Sequence, residues 1–433
     1  MRLKYIRYNS CSDNELQELL QDRAPDQYQE YNKTVLDIID NVKINGDNAV
    51  CQYTEKFDGA IIDSNTLQVT QDEIDSAYTQ IDEELVGIIR KAKVRIEAYH
   101  TKQKQQSWFD SCETGSIMGQ KITPIDVVGV YVPGGKAVYP SSVIMNIIPA
   151  KVAGVETITM TTPPDKNGLV NPLTLVAARE CGVDAIYKVG GAQAIAALAF
   201  GTETIPQVDK IVGPGNIFVA LAKKAVYGHV SIDSVAGPSE VLVIADETAN
   251  AKYVAADLLS QAEHDELASS VLITNSEVLV EAVQKEIERQ TDYLSRQTII
   301  NKSLDDYGAI ILVNNMEEAI YLSNRIAPEH LEICTKEPFM LLPKIKHAGA
   351  IFLGAYSPEP LGDYMAGPNH VLPTNGTAKF FSPLSVDDFI KKSSIISFSR
   401  EALSTLENDI VKFAEAEELT AHANAIKVRF END

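Results

Sequence analysis

The sequence predicts an α/β protein with two parallel-sheet units, one inserted into the other, and helical segments at each end. From residue 125 onward, apolar runs of strand length alternate with helix-length amphipathic stretches, the pattern of strand–helix–strand crossovers. The alternation breaks near Ala236-Gly237-Pro238 and then resumes, which marks two units rather than one. A length of 433 residues agrees, since domains average about 150 residues.

Taken in order, residues 12–107 read as largely helical, with Ser12 as an N-cap and 82–106 as one long amphipathic pattern. The first α/β unit follows. Strands at 125–132, 157–161, 185–189 and 210–212 alternate with helices at 142–155, 172–181, 192–200 and 216–226, and Gly182 is a C′ glycine. In the second unit, strands at 241–245, 270–274, 309–313 and 350–353 again alternate with helices. The expected division is a helical segment 1–24, a main α/β domain of 25–130 and 237–383, an inserted domain 131–236, and a helical segment 384–433.

Composition excludes several classes of function. Lys plus Arg number 38 against 60 Asp plus Glu, a net charge of −22, which argues against a nucleic-acid partner. The five cysteines are scattered with no CxxC pair, so neither a disulfide framework nor a thiolate zinc site is expected. That usage fits a reducing compartment. The first residues lack the apolar run of a signal peptide, and no stretch approaches the ~18 apolar residues of a membrane span. The expectation is a cytoplasmic globular protein with no membrane partner.

Residues 357–374, SPEPLGDYMAGPNHVLPT, hold Glu359, Asp363 and His370 on a Gly- and Pro-rich stretch expected to form neither regular helix nor strand. It follows the run 350–353, which reads as a buried strand. A long loop in a compact domain is usually functional or disordered, and functional groups concentrate on such loops. Glycine turns follow three strands of the first unit: Pro133-Gly134-Gly135, Gly190-Gly191 and Gly213-Pro214-Gly215. Glycine at a strand's carboxyl end lets backbone N–H groups approach phosphate. None of the three is GxGxxG, and the second strand ends in Thr161-Thr162-Pro163-Pro164 without an acidic ribose reader, so tight turns alone also account for them.

Three further groups carry polar chemistry. Gln261 and His264 lie three apart on one face at a helix end, an arrangement that, taken alone, suits a solvated polar terminus better than a site. In Ala327-Pro328-Glu329-His330, Pro328 disfavours helix at Ala327 and sets the acid and imidazole on a turn. They could serve as two proton-transfer groups or be an exposed pair without a role. Glu417 and His422 are five apart in the C-terminal helix, about 140° around it, so only a pocket at the helix end could use both, and the default reading is a solvated acidic face. Together Gln261, His264, Asp363 and His422 offer an amide oxygen, a carboxylate and two imidazoles, a donor set that suits zinc or a similar divalent ion. They are far apart in the chain.

The runs YVPGGKAVYPSSVIMNIIPAKVAGV, VGGAQAIAALAFGT, KIVGPGN, IDSVAGPSEVLVIAD, LLSQAEH, APEHLEI and SPEPLGDYMAGPNHVLPT resemble the histidinol dehydrogenase family, in order along the chain. The likeness extends from YTEKFDG at 53–59 to LTAHANA near the C-terminus. Pro360 departs from the family pattern, which usually has a small residue there, and should only stiffen the loop. The resemblance implies two Rossmann-like units, with NAD bound on the inserted one near Tyr131, Gln193 and Asn216. It implies oxidation of L-histidinol to L-histidine through L-histidinal, in two successive hydride transfers to NAD. One zinc per subunit would be held by Gln261, His264, Asp363 and His422. These four, with Ser239, His330, Glu359, His370 and Glu417, would contact the substrate, and Glu329 and His330 would move protons. A homodimer is implied, the C-terminal segment of one subunit completing the site of the other. A zinc hydrolase would have no use for the glycine turns, and a catalytically silent relative would be expected to lose Glu329-His330 or a metal ligand.

Overall fold

The computed structural model describes residues 3–8, 29–112, 115–134, 138–235 and 237–431. The helix read after Ser12 lies outside the described residues, as do Gly135 of one expected turn and Ala236 of the expected boundary. The chain divides into two units, Met1–Gln103 with Ile125–Phe389, and Lys104–Pro124 with Ile390–Asp433.

Among the described residues the strands are, in chain order, β1 (Lys4–Arg7), β2 (Trp108–Ser111), β3 (Ile117–Pro124), β4 (Val127–Tyr131), β5 (Thr157–Thr162), β6 (Ala185–Lys188) and β7 (Lys210–Val212). There follow β8 (Ser231–Ile232), β9 (Glu240–Ala245), β10 (Ser269–Thr274), β11 (Ala309–Leu312), β12 (His330–Cys334), β13 (Ala350–Leu353) and β14 (Ile390–Ser397). The first unit holds two sheets, ordered β6-β5-β4-β7-β8 and β1-β11-β10-β9-β12-β13, parallel throughout. Every residue of β9 and β10 is buried, as expected of central strands with helices on both faces. Alternation then sorts the side chains. Val241 and Val243 pack with helices Ala251–Ala262, Glu277–Thr291 and Gln297–Tyr307, whereas Leu242 and Ile244 pack towards helix Met316–Ile326.

The described helices before residue 104 lie in the same unit as 237–383, and within it they cover the five-stranded sheet. Ala77, Val86, Ile89 and Ile96 pack with Val128, Ile158 and Met160, while Val35, Ile38 and Val42 pack with Ile195, Leu198 and Ile211. An amphipathic pattern reveals that a helix has an apolar face but not which sheet that face will cover.

The stretch 1–24, read as helical, contains β1, which extends the six-stranded sheet at the edge left by β11. The run 350–353 is an edge strand and only partly buried, because β12 covers one side of it alone. In the second unit, the segment expected to be helical begins with β14, paired antiparallel with β3, which also pairs with β2. Its sequence, IKKSSIIS, lacks a burial period because the ladder forms on a mostly solvated strand. Helices Arg400–Ser404, Glu407–Ala416 and Thr420–Lys427 follow. Among the described residues no helix is long and apolar enough to cross a membrane.

Candidate active site

In the six-stranded sheet the chain builds β9, β10 and β11 outwards in one direction, then returns to place β12 on the other side of β9. Glu240 and His330 open these two strands, and His330 pairs with Val241. The Glu240 N–H donates to Glu329 Oε2 at 2.8 Å, and His330 Nδ1 lies 2.9 Å from the Glu240 carbonyl. A carbonyl only accepts, so Nδ1 carries the hydrogen and Nε2 of the neutral ring is left as acceptor. Burial holds the His330 pKa down to about 4, against the opposing pull of Asp363. Burial also pushes the Glu329 carboxyl well above its ordinary value, partly countered by the Glu240 N–H. Helix Met316–Ile326 ends at Ala327, whose left-handed φ of 54° turns the chain into Pro328-Glu329. Gly349 lies against this turn: a Cβ there would be 2.5 Å from the Glu329 carbonyl oxygen.

The stretch 357–374, expected to be irregular, includes a helix, Glu359–Tyr364. Pro360 falls in its first turn, where a missing N–H breaks no helical bond. At Gly362 a Cβ would approach the Phe352 ring to 2.8 Å, so glycine lets the helix lie on β13. Glu359 and Asp363, four apart, share a helix face. Their carboxylate oxygens and a His264 ring nitrogen lie within 4.8 Å of one another. Asp363 Oδ1 is 3.4 Å from His370 Nδ1, and His370 Nε2 is 3.4 Å from Ser142 Oγ. Burial raises the Asp363 carboxyl, but the hydrogen bond with His370 and the neighbouring imidazoles outweigh it and hold the pKa low. Glu359 is pushed up to about 8, by burial first and then by Asp363. Burial lowers the pKa of His264, keeping a nitrogen lone pair available.

Gln261 is in the last turn of helix Ala251–Ala262, fully buried, and neither its Oε1 nor its Nε2 has a hydrogen-bond partner among the described residues. Leaving such a group unpaired costs on the order of 1–3 kcal/mol, which a ligand would offset. An orphaned amide oxygen beside a cluster of imidazole and carboxylates fits a divalent cation. Gln261, His264 and Asp363 belong to the first unit, and Glu359 joins the cluster rather than standing apart from it. Ser239, half-buried, immediately precedes β9. Glu417 and His422 belong to the second unit and are exposed there. They do not share a helix: Glu417 caps Glu407–Ala416, Glu418 turns the chain with φ 61°, and His422 lies in Thr420–Lys427.

At the carboxyl ends of β4 and β7 the five-stranded sheet also reverses its order, the place where open α/β sheets bind ligands. The glycine turns there are packing devices first. A Cβ on Gly134 or Gly190 would come within 2.5 or 2.6 Å of the Pro163 ring. Gly213 is clamped, its N–H donating to Asp233 Oδ2 at 2.8 Å and its carbonyl accepting from Lys223 Nζ at 2.9 Å, while Lys223 and Asp233 form a buried ion pair. That N–H is therefore not presented to a phosphate. Helix Gly191–Phe200 offers more: its N-cap, Gly190, provides no side-chain acceptor, and Gln193 is buried with both amide atoms unpaired among the described residues. The Tyr131 hydroxyl accepts from the Gly191 N–H at 3.2 Å. Asn216 Oδ1 is taken up in capping helix Ile217–Val226, leaving its Nδ2 for other use.

Sequence reasoning missed Glu240, Ser142, Ser260, Asp257 and Glu332. Glu240 acts through its backbone, which no side-chain pattern reports, and the others reach the site only through strand pairing and helix packing.

A family model described as histidinol dehydrogenase matches residues 21–430. The chain belongs to this family. It is 58% identical over 428 residues to the histidinol dehydrogenase of Clostridium acetobutylicum, covering 99% of each chain. The Bacillus subtilis histidinol dehydrogenase is 58% identical over 401 residues, 93% of each. A crystal structure of histidinol dehydrogenase from Elizabethkingia anophelis superposes with a TM-score of 0.93 at 40% identity, covering 99% of this chain and 98% of that one. Membership makes the chain an oxidoreductase.

Asp58, last residue of helix Gln29–Asp58, tests the electrostatics beside Tyr131. Burial pushes its carboxyl up to about 6, and Oδ2 is unpaired among the described residues. A folded pKa above the unfolded value of about 3.9 means that the ionised carboxylate destabilises the fold. The penalty is absent below about pH 4, grows as pH rises to about 6, and is complete above that. Asp58→Asn should therefore raise Tm at pH 7, with the gain vanishing near pH 4. Thermal unfolding at both pH values checks this, and an equal gain at each would contradict it.

Proposed function

We propose that this chain oxidises L-histidinol to L-histidine through L-histidinal, with NAD and one zinc per subunit, in the last steps of histidine biosynthesis in the cytoplasm. The observation that carries the reading is His330: buried, neutral, with Nδ1 committed to the Glu240 carbonyl and Nε2 unbonded among the described residues. It is close enough to Asp363 and His264 to feel their charges, and these two lie with Glu359 in one cluster. Gln261, His264, Asp363 and His422 would hold zinc, which supplies a Lewis acid able to anchor the substrate's imidazole and amine, while NAD supplies the hydride acceptor.

His330 Nε2 takes the hydroxyl proton as hydride leaves the carbinol carbon. Glu329 then accepts a proton from the water that adds to the aldehyde, and burial raises its affinity for that proton. His330, having shed its first proton, serves again as the hydrate is oxidised. Ser239, Glu359, His370 and Glu417 orient the substrate, and orientation is where much of the rate enhancement arises. Tyr131, Gln193 and Asn216 line the cofactor's place at the carboxyl ends of β4 and β7, where Gln193's unpaired amide is the strongest support.

The same reading makes the protein a homodimer whose active sites are shared. Glu417 and His422 are exposed on a unit whose buried apolar side chains, among the described residues, are Ala402, Ala414 and Ala423. Trp108, Phe109, Ile396 and Phe413 of that unit are exposed, as is usual for a surface awaiting a partner.

Three tests follow from these roles. Histidinol with NAD should yield NADH absorbance that a chelator abolishes and zinc restores, with circular dichroism nearly unchanged by metal removal. Activity indifferent to chelation would defeat the zinc assignment. In Glu329→Gln, steady-state turnover should fall about 10²–10⁴-fold while a single turnover still releases one NADH per site. Loss of that first NADH would show that Glu329 is needed before hydration. Chains bearing His330→Ala or His422→Ala should each be nearly inactive, yet refolding them together should recover up to about a quarter of wild-type activity if pairing is random. No recovery in verified heterodimers would mean that each subunit supplies its own His422.

A further inference from the structure

Helix Glu359–Tyr364 carries two residues of the candidate site, yet it has no local cap, since its N-cap is Pro358 and no side chain of its own segment accepts a first-turn N–H. Pro360 has no N–H to offer, and the Leu361 N–H bonds back to the Pro358 carbonyl at 3.0 Å. The remaining first-turn donor is the Glu359 N–H. It donates to Glu332 Oε1 at 2.8 Å, from a strand 27 positions earlier in the chain. Glu332 is only 1% exposed. It lies two residues after His330 on β12, so the period-two alternation of the strand puts both on the same face of the sheet.

We propose that Glu332 is a positioning residue, a cap supplied across the fold that sets where helix Glu359–Tyr364 begins and so where Glu359 and Asp363 meet His264 and His330. The inference rests on the metal reading of that cluster.

Two surrounding contacts fit this role. Ser260 Oγ lies 2.9 Å from the Asp257 carbonyl and 3.2 Å from Glu359 Oε2, so the Glu359 side chain is steadied from helix Ala251–Ala262 while its backbone is held from β12. The other side of the Glu332 carboxyl faces Asp257. Burial, then the Asp257 charge, raise the Glu332 pKa well above its ordinary value, while Oε1 accepts from the Glu359 N–H. A carboxyl and a glutamine amide can each offer an acceptor oxygen to the Glu359 N–H. The distance from the Glu359 N–H to Asp363 is one helical turn, so a shift of the helix start moves a metal ligand directly.

Glu332→Gln keeps the acceptor, and Glu332→Met keeps the bulk but removes it. Apo-protein of each is titrated with zinc in competition with a chromogenic chelator, and KM for histidinol is measured on the zinc-loaded forms. The expected result is zinc affinity lowered about 10–100-fold in E332M, with a raised KM, and wild-type affinity in E332Q. If E332M does not fold, Glu332→Asp, whose shorter side chain draws the acceptor away from the Glu359 N–H, is expected to show the same loss. Wild-type zinc affinity in E332M or E332D, or E332Q as weak as E332M, would overturn the proposal while leaving the metal reading intact. A wild-type chain that binds no zinc would overturn the metal reading and this proposal together.

Discussion

The parallel register of β9 and β12 is the constraint on which the site depends. His330 faces Val241 and Glu332 faces Val243 across that pair. Leu331 and Ile333 are fully buried on the opposite face with Leu242 and Ile244. A slip of one residue would drive His330 and Glu332 into that apolar layer and bring two aliphatic side chains out of it. Burial of Leu331 and Ile333 thus holds the register, and the register puts the Glu240 backbone at both Glu329 and His330. The Glu329–His330 pair is aimed by the packing of the aliphatic side chains that alternate with it on β12.

Burial then acts on the two members of that pair in opposite senses, because it always opposes charge. It lowers the pKa of an imidazole, which makes His330 a base at neutral pH, and raises that of a carboxyl, which makes Glu329 hold a proton more strongly. Glu359 and Asp257 rise for the same reason, whereas Asp363 is held low by His370. Buried carboxyls gathered around imidazoles and an orphaned amide are stable company only with protons or a cation among them. Protons and a cation are in this sense alternative answers to one electrostatic problem.

The five-stranded sheet solves a different one. Its reversal point between β4 and β7 is walled by glycines that must be glycine for packing against Pro163 and the Tyr131 backbone, whatever else binds there. The Lys223–Asp233 pair closes one turn, while the amide of Gln193 is left open beside a helix N-terminus. Glycine spacing alone therefore overstated the turn at Gly213 as a phosphate cradle, and the polar side chain within the helix is the better guide.

Most strand and helix positions between residues 125 and 353 were legible from residues alone, since central parallel strands are continuous apolar runs and the helices between them carry one apolar face. In contrast, β12, which begins at His330, reads as a turn in the sequence. Strand 210–212 and helix Pro172–Cys181 match to the residue. Glu329, His330, Gln261, His264, Asp363 and His370 were legible as candidates through motif resemblance, and their residue types named the chemistry. What local pattern could not carry was partnership. That β1 and β14 are strands depends on distant edges offering a ladder. That the early helices cover the inserted sheet depends on which apolar surface was left bare. That Glu240 steers His330 through a carbonyl, and Glu332 caps a helix 27 residues away, depends on pairing between strands. The sequence by itself determined the elements and the chemical groups, because propensity and side-chain chemistry are local. Only the tertiary structure decided their register and their neighbours, because those come from burial shared between segments far apart in the chain.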